Sequence, residues 1–421
     1  MRERTTVAQI RFPLAIRTLN RCGPLLDGAV TRHGSAAAFI EAAKRRCRLE
    51  DFGEGNFTEP LSRLLESCHR EACLNVIGKF ALRSDITRQL CNRLLLQRDR
   101  TAHPEIAREK IRQPLFIVGL PRTGTTLLHM LLAADPAHRA PLTWEVMEPA
   151  ARDAIGRTRQ MRHAEKNMNW LRWLAPDFCR IHATGAHLPQ ECVSLMSPSF
   201  LSDQFDTMFN VPAYRAWFLR HDLSPAYAFH QRILQHLQSG HRPRRWILKA
   251  PAHMFALPAL LSLYPDAIFV QSHRAPLQAI ASVSSLITIL RRIFSDRVDA
   301  RDVGAEALRY WSETLNRFVE QRDHLLGRRV CDLLYCDIQR NPLAAVARIY
   351  DHFGWILTSE TESRMRLALA QQPRELHSFH RYDPEQFGFR LEEETEFFGE
   401  YCQRFDLSSQ NAHPIASTAS R

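Results

Sequence analysis

One pattern constrains the fold of this 421-residue chain more than any other: short apolar runs, each followed at once by a helix. In the first, the β-prone run Leu115-Phe116-Ile117-Val118 leads through a Gly/Pro turn into a helix beginning near Thr125. Similar runs occur at 246–248, 268–270 and 330–335, before helices expected near His253, at Pro276 and near Pro342. Apolar strands alternating with helices are typical of a parallel sheet covered on both faces.

Three further segments are predicted before, within and after this α/β pattern. Residues 1–110 are expected to form a helical N-terminal extension, because apolar residues such as Leu61, Leu64 and Leu65 recur at spacings of three and four. Residues 111–405 form the predicted α/β domain, with a helical insertion at 150–240. Residues 406–421 have little to bury and are expected to be a disordered tail.

Charge and cysteine content narrow the function classes. The net charge is +11, and only five of the 56 basic residues are lysines. The preference for arginine over lysine extends over the whole chain, so we interpret it as a feature of overall composition. Because the arginines are spread singly among acidic residues, we expect no nucleic-acid-binding surface. The ten cysteines form no CxxC pair and no zinc-like cluster, so we expect reduced thiols and no metal.

No targeting or membrane segment is predicted. The chain has no uninterrupted apolar stretch of ~18 residues, and its first residues lead into no apolar leader with a cleavage site. We therefore expect a cytoplasmic protein without a transmembrane segment, and the sequence leaves its oligomeric state open.

The loop after the first strand predicts an anion site. Its sequence, Gly119-Leu120-Pro121-Arg122-Thr123-Gly124-Thr125-Thr126, fits GxxxxG followed by two hydroxyl residues. A nucleoside-triphosphate loop would have Lys where Thr125 stands, to reach the far phosphates. Backbone N–H groups, two hydroxyls and the helix dipole remain, so the loop is expected to hold a phosphate next to Arg122.

This loop resembles the 5′-phosphosulfate loop of sulfotransferases that use 3′-phosphoadenosine 5′-phosphosulfate (PAPS), and GLPRTGTTLL is most similar to bacterial members. A second motif strengthens the resemblance: Arg274 follows the strand at 268–270, and Ser282 lies eight residues further on. Pro276 suits the first helical position, so Ser282 is expected to point back toward Arg274, as in the family's 3′-phosphate site. The resemblance covers about Phe52 to Phe405.

The resemblance implies a P-loop-like α/β enzyme that transfers the sulfuryl group from PAPS, releases adenosine 3′,5′-bisphosphate and needs no metal. Arg122 would stabilise the leaving group, Tyr335 would contact adenine, and Lys249 would contact the sulfuryl group or the 5′-phosphate. The remaining donor contacts would come from Thr123, Gly124, Thr125, Thr126, Leu127, Arg274 and Ser282. A C-terminal Arg-Lys-Gly loop of the cytosolic enzymes is absent, and His380-Arg381-Tyr382 is a candidate replacement.

The catalytic base stays open between Glu145 and His253. Glu145 follows the loop helix beside Trp144, like the base of the protein-tyrosine enzymes, although a helix-capping carboxylate is the alternative. His253 lies four residues after Lys249, where cytosolic members have a His two residues after Lys. Further alternatives are Glu148, His187, Glu191 or no dedicated base.

The acceptor is expected to be a small molecule, lipid or carbohydrate that carries a hydroxyl or amine. Aromatic residues between 194 and 238 would mainly pack, and could also line an apolar acceptor pocket. Two other functions are weighed against this one. A P-loop-type kinase would need Mg²⁺ and lacks the loop lysine, whereas a basic nucleic-acid-binding protein would bind DNA with a steep salt dependence.

Overall fold

The computed structural model describes residues 12–21, 34–150, 153–240, 243–371, 384–390 and 392–407. The predicted tail from residue 408 onward lies outside these described residues, and so does His380-Arg381-Tyr382.

Five parallel strands form the central sheet within the described residues. They are β1 (Leu115–Gly119), β2 (His138–Arg139), β3 (Arg245–Lys249), β4 (Ile268–His273) and β5 (Val330–Leu334), in the order β2-β3-β1-β4-β5. The predicted parallel sheet is confirmed. Sequence analysis missed β2, because two residues at the edge of a sheet carry no periodic signal.

Helices surround the sheet and also make up the segments before and within the α/β pattern. Those before β1 are α1 (Leu14–Arg21), α2 (Ala36–Cys47), α3 (Thr58–Arg70) and α4 (Val76–Ala102). Between β1 and β3 lie α5 (Thr125–Ala133), α6 (Thr143–Met147), α7 (Ala154–Leu174), α8 (Pro176–Ile181), α9 (Cys192–Met196), α10 (Gln204–Met208), α11 (Pro212–Phe218) and α12 (Ser224–Gln238). After β3 come α13 (Leu257–Leu263), α14 (Pro276–Phe294), α15 (Ala300–Leu326), α16 (Tyr335–Arg340), α17 (Pro342–Phe353), α18 (Ser359–Ala370) and α19 (Glu392–Arg404).

Two predicted boundaries near the sheet were wrong. No α-helix starts near His253, which lies in a 3-10 turn (Pro251–Ala256) before α13. Pro258 explains the difference, because a proline inside a helix removes one backbone hydrogen bond and clashes with the preceding turn. Tyr335 begins α16 and does not end a strand, since the last paired residue of β5, Leu334, lies opposite the last residue of β4.

The sheet separates two apolar layers. Phe116 and Val118 of β1 join the larger core, whereas Leu115 and Ile117 face a smaller core on the opposite side. This alternation is the period-2 geometry of a strand buried on both faces. Among the described helices, α14 alone is long and apolar enough to cross a membrane, and 72% of its apolar window is buried inside the protein.

Candidate active site

The candidate site lies at the carboxyl-terminal edge of the sheet. Because the strands are parallel, the segments that follow β1, β3, β4 and β5 leave the sheet at this same edge. Ligands of open α/β sheets bind in such a crevice. The topology therefore brings the anion loop, Lys249, Arg274 and Tyr335 to one region.

The loop after β1 has a backbone that only glycine accommodates at its start. Gly119 has φ +131°, and a Cβ there would lie 2.6 Å from the Ser272 carbonyl oxygen. The next glycine, Gly124, has φ +84° and would bring a Cβ to 3.1 Å from the Ile338 side chain. The loop is also tied internally, since the Thr123 hydroxyl is 2.7 Å from the Leu120 carbonyl oxygen. These contacts hold the turn in a compact form before α5 begins.

The side chains at the start of α5 differ in what they can offer a ligand. Thr126 is exposed, whereas Thr125 is buried. Leu127 packs into the smaller core, so only its backbone N–H faces the start of the helix. The two threonines and Leu127 contribute first-turn N–H groups, at the positive end of the helix dipole.

Arg122 joins three parts of the site. Its Nε donates to Ser282 Oγ at 3.3 Å, and its Nη1 donates to the Ile181 carbonyl at 3.2 Å. Arg274 Nη1 donates to the Arg122 carbonyl oxygen at 2.8 Å. Arg274 and Ser282, predicted to point toward each other, thus each form a hydrogen bond with Arg122, Arg274 with its carbonyl and Ser282 with its side chain.

Tyr335 lies beside Arg274 at the entrance to the loop. The Arg274 guanidinium is 4.5 Å from the centroid of the Tyr335 ring, a cation–π contact. The same ring lies 3.4 Å from where a Cβ on Gly124 would stand. The tyrosine is half-buried, so part of its surface is available to a ligand.

Lys249 is buried at the end of β3, with 3% of its surface exposed. Its ammonium donates to the Thr126 hydroxyl at 3.3 Å and forms an ion pair with Glu191. Burial opposes ionisation of the Glu191 carboxyl, but the charge and hydrogen bond of Lys249 outweigh it and lower the pKa of Glu191. Glu191 is therefore an ionised carboxylate, and Lys249 connects it to Thr126 of the anion loop.

Two histidines lie close enough to interact electrostatically with the Lys249–Glu191 pair. Burial lowers the pKa of His129 to about 3, and His129 Nε2 donates to the Ile247 carbonyl at 3.2 Å. Burial also lowers the pKa of His182 to about 4, and this residue directly follows the Ile181 carbonyl that Arg122 contacts. Both imidazoles are neutral near pH 7. Sequence reasoning missed both, because a single His between apolar residues carries no motif.

Glu145 is engaged away from the loop. Its Oε2 accepts from the backbone N–H of Leu142 at 3.0 Å, which caps α6, and its Oε1 accepts from Arg139 at 2.5 Å. Neither partner belongs to the anion loop. The geometry matches the helix-capping alternative for this residue.

His253 is enclosed in the larger core. Its ring is fully buried, its Nδ1 is 2.8 Å from the Tyr227 hydroxyl, and its ring centroid is 4.9 Å from that of Phe116. Burial, with a smaller effect of His230, holds the pKa of His253 well below its ordinary range. The turn after β3 thus directs His253 into the protein interior.

Comparison with known proteins assigns the family. A sequence model described as "Sulfotransferase family" matches residues 114–359. The omega-hydroxy-beta-dihydromenaquinone-9 sulfotransferase Stf3 of Mycobacterium tuberculosis is 26% identical over 257 residues, which cover 57% of this chain and 62% of that protein. The match thus spans less than two thirds of that relative's length.

Solved structures give the same assignment. The sulfotransferase STF1 of Mycobacterium tuberculosis superimposes with a TM-score of 0.77 at 32% identity, over 87% of this chain and 99% of STF1. The sulfotransferase STF9 of Mycobacterium avium gives a TM-score of 0.78 at 26% identity, over 89% and 97% of the two chains. The anion loop, Lys249, Arg274 and Ser282 all lie within the matched residues, and the chain belongs to the sulfotransferase family.

Proposed function

We propose that this protein transfers the sulfuryl group of PAPS to a hydroxyl group of an apolar acceptor. The observation that carries the proposal is the convergence of Arg122, Lys249 and Arg274 on a phosphate-type loop that has no lysine of its own. A kinase loop uses that lysine on the terminal phosphates. Here the three cations would instead surround a group bound directly next to the loop.

The donor would be held along the edge of the sheet. The N–H groups of the loop and the Thr126 hydroxyl would bind the 5′-phosphosulfate, with Arg122 at the oxygen that gains charge as the nucleotide leaves. Arg274 and Ser282 would bind the 3′-phosphate, and Tyr335 would stack on adenine. The contacts of Arg122 with Ser282 and of Arg274 with Tyr335 support this order.

For the base, we propose Glu191 in place of Glu145 or His253. Glu191 is ionised, half-buried and paired with Lys249, which itself contacts the loop. An anionic donor would compete for Lys249 and so release the carboxylate to accept the acceptor's proton. His182 is the second residue near enough to assist, because it lies beside the Ile181 carbonyl.

The acceptor class rests on the relatives. The curated Stf3 proteins act on a hydroxylated dihydromenaquinone, as their names state. We propose a lipid-like alcohol of the same general kind for this chain. All nine described cysteines are free thiols, which supports a reducing, cytoplasmic location.

Calorimetry with adenosine 3′,5′-bisphosphate tests the donor site first, and we expect specific binding without added metal. Sulfuryl transfer from PAPS should then continue in the presence of EDTA. Binding of ATP–Mg²⁺ in preference to the bisphosphate would favour a kinase and contradict the proposal. An untargeted acceptor screen against lipid alcohols tests the acceptor class.

The base assignment is tested by comparing three variants at saturating nucleotide. Glu191→Gln should lose ~10²-fold or more in turnover, as expected for loss of a general base. Glu145→Gln and His253→Ala should retain more turnover when their folded fractions are matched. Equal losses in Glu145→Gln and Glu191→Gln would contradict the assignment.

A further inference from the structure

Helix α7 lies on the surface of the protein and presents an unusual outer face. Of its 21 residues, only Ala164 and Leu174 are buried. Its inner side reaches the body of the protein through Ala164 and Met161, which join a small cluster with Trp144. Most of the helix is therefore available to an external surface.

The outer face combines apolar and basic side chains. Ile155, Trp170 and Trp173 are 77%, 41% and 51% exposed, which is unusual for such residues. At 3.6 residues per turn they fall within the same stripe, about 80° wide, as three exposed basic residues. This stripe, called the docking face below, consists of Ile155, Arg159, Arg162, Lys166, Trp170 and Trp173.

The three basic residues of the docking face, Arg159, Arg162 and Lys166, are exposed. In the described part of the chain, no carboxylate lies within ion-pair distance of Arg159, Arg162 or Lys166. The acidic residue nearest along the helix, Glu165, lies off this stripe and pairs with His187 at 3.4 Å. The three positive charges are thus presented to an external anion.

We propose that the docking face binds an anionic lipid surface. Basic residues near such a surface each contribute to binding, and tryptophans sit at the boundary between headgroups and acyl chains. The long stems of Arg and Lys also allow their charges to reach headgroups while the helix lies flat. From Ile155 to Trp173 the face is roughly 27 Å long, at 1.5 Å per residue.

The position of the helix is suited to an enzyme whose acceptor resides in a membrane. A short link joins α7 to α8 (Pro176–Ile181), and the Ile181 carbonyl accepts the hydrogen bond from Arg122. The helix that carries the docking face is therefore followed directly in sequence by α8, whose last residue contacts Arg122 of the candidate active site. The proposal itself concerns lipid binding and does not depend on sulfuryl transfer.

Flotation of the full-length protein with lipid vesicles tests this proposal. We expect binding to vesicles that contain phosphatidylglycerol, weak binding to pure phosphatidylcholine, and a decrease in binding as salt is raised. Replacing Arg159, Arg162 and Lys166 together with Gln should weaken binding about 100-fold, since each basic residue contributes roughly fivefold. Tryptophan fluorescence should be quenched by brominated acyl chains, and this signal should disappear in Trp170→Ser/Trp173→Ser.

Matched controls lie on another surface of the protein. Ile356→Ser and Leu367→Ser replace apolar residues that are 85% and 60% exposed, and they should leave vesicle binding unchanged. Binding of adenosine 3′,5′-bisphosphate to every variant reports the state of the donor site separately. The proposal would be overturned if the triple-Gln variant bound phosphatidylglycerol vesicles as well as the native protein does, or if the native protein did not bind them. Without vesicle binding, self-association that is lost in the tryptophan variant would identify the face as a contact between copies of the chain, and DNA binding would identify it as a nucleic-acid surface.

Discussion

The Lys249–Glu191 ion pair makes a prediction that links stability to nucleotide binding. Glu191→Gln leaves the Lys249 ammonium, 3% exposed, with only the Thr126 hydroxyl as a polar partner from the loop. Removing one member of a buried pair costs about 3–5 kcal/mol, and the partial exposure of Glu191 places the expected loss near the lower value. Urea denaturation of the nucleotide-free protein measures it.

Although Glu191→Gln should lower the stability of the protein, it should raise its affinity for the nucleotide. In the native protein an anion at the loop must compete with Glu191 for Lys249, whereas in Glu191→Gln the ammonium is unneutralised. We expect adenosine 3′,5′-bisphosphate to bind ~10-fold tighter to the variant, a difference of about 1.4 kcal/mol. Lys249→Met should bind it more weakly. Unchanged or weaker binding by Glu191→Gln would show that Lys249 does not face the nucleotide.

The pH dependence of stability follows from the lowered pKa of Glu191. A carboxylate whose pKa is lowered by folding stabilises the folded protein at any pH above its pKa in the unfolded chain, which is about 4.3 for Glu. This stabilisation is lost as the pH falls through the lower pKa of the folded state. The stability difference between native protein and Glu191→Gln should therefore be constant near neutrality and shrink in acid. Glu362→Gln serves as a control. It removes an exposed ion pair with Arg366 on the surface of α18 and should lower the free energy of unfolding by less than ~0.5 kcal/mol.

Three further predictions concern the loop, the 3′-phosphate and helix packing. Arg122→Ala should keep the fold and lose on the order of 100-fold or more in transfer rate; activity within a few-fold of native would remove its role. Arg274→Ala should weaken the binding of PAPS ~30-fold or more, and Ser282→Ala should weaken it less. Neither change should much affect the binding of adenosine 5′-phosphosulfate, which lacks the 3′-phosphate. If the ratio of the two donor affinities stays constant across the variants, Arg274 and Ser282 do not form the 3′-phosphate site. Gly78→Ala should destabilise by about 1–3 kcal/mol, because a Cβ would lie 2.1 Å from a carbonyl oxygen at the end of α14, whereas Gly399→Ala meets nothing and should be neutral or stabilising in the same denaturation assay.

Most of the fold could be predicted from the sequence because its strands are apolar throughout and its loops contain Gly and Pro. Four strands and the helices at Thr125, Pro276 and Pro342 follow from these signals. The family prediction is confirmed as well. The two-residue strand β2 and the 3-10 turn after β3 carry no periodic pattern, so the local sequence could not indicate them.

The candidate site was less accessible to sequence reasoning. The rarity of lysine drew attention to Lys249, and the structure buries its side chain at the end of β3 with the ammonium bonded to Thr126 of the loop. Its partner Glu191 lies 58 residues earlier, within the helical insertion and directly before α9, so only tertiary structure brings the two together. His253 was selected by its spacing from Lys249, yet the direction of the intervening turn, which spacing does not encode, places the ring in the core.

The contacts of Arg122 explain why this loop uses an arginine. A lysine ammonium is a compact point charge, whereas the guanidinium is a planar fork whose N–H groups point in fixed directions. Arg122 uses two of them, toward the Ser282 hydroxyl on α14 and the carbonyl of Ile181, the last residue of α8. A lysine could supply the charge but could not keep both directions at once. The arginine therefore joins the proposed 3′-phosphate side of the cleft to the insertion that carries His182 and Glu191, so the proposed donor and acceptor sides would meet at one side chain.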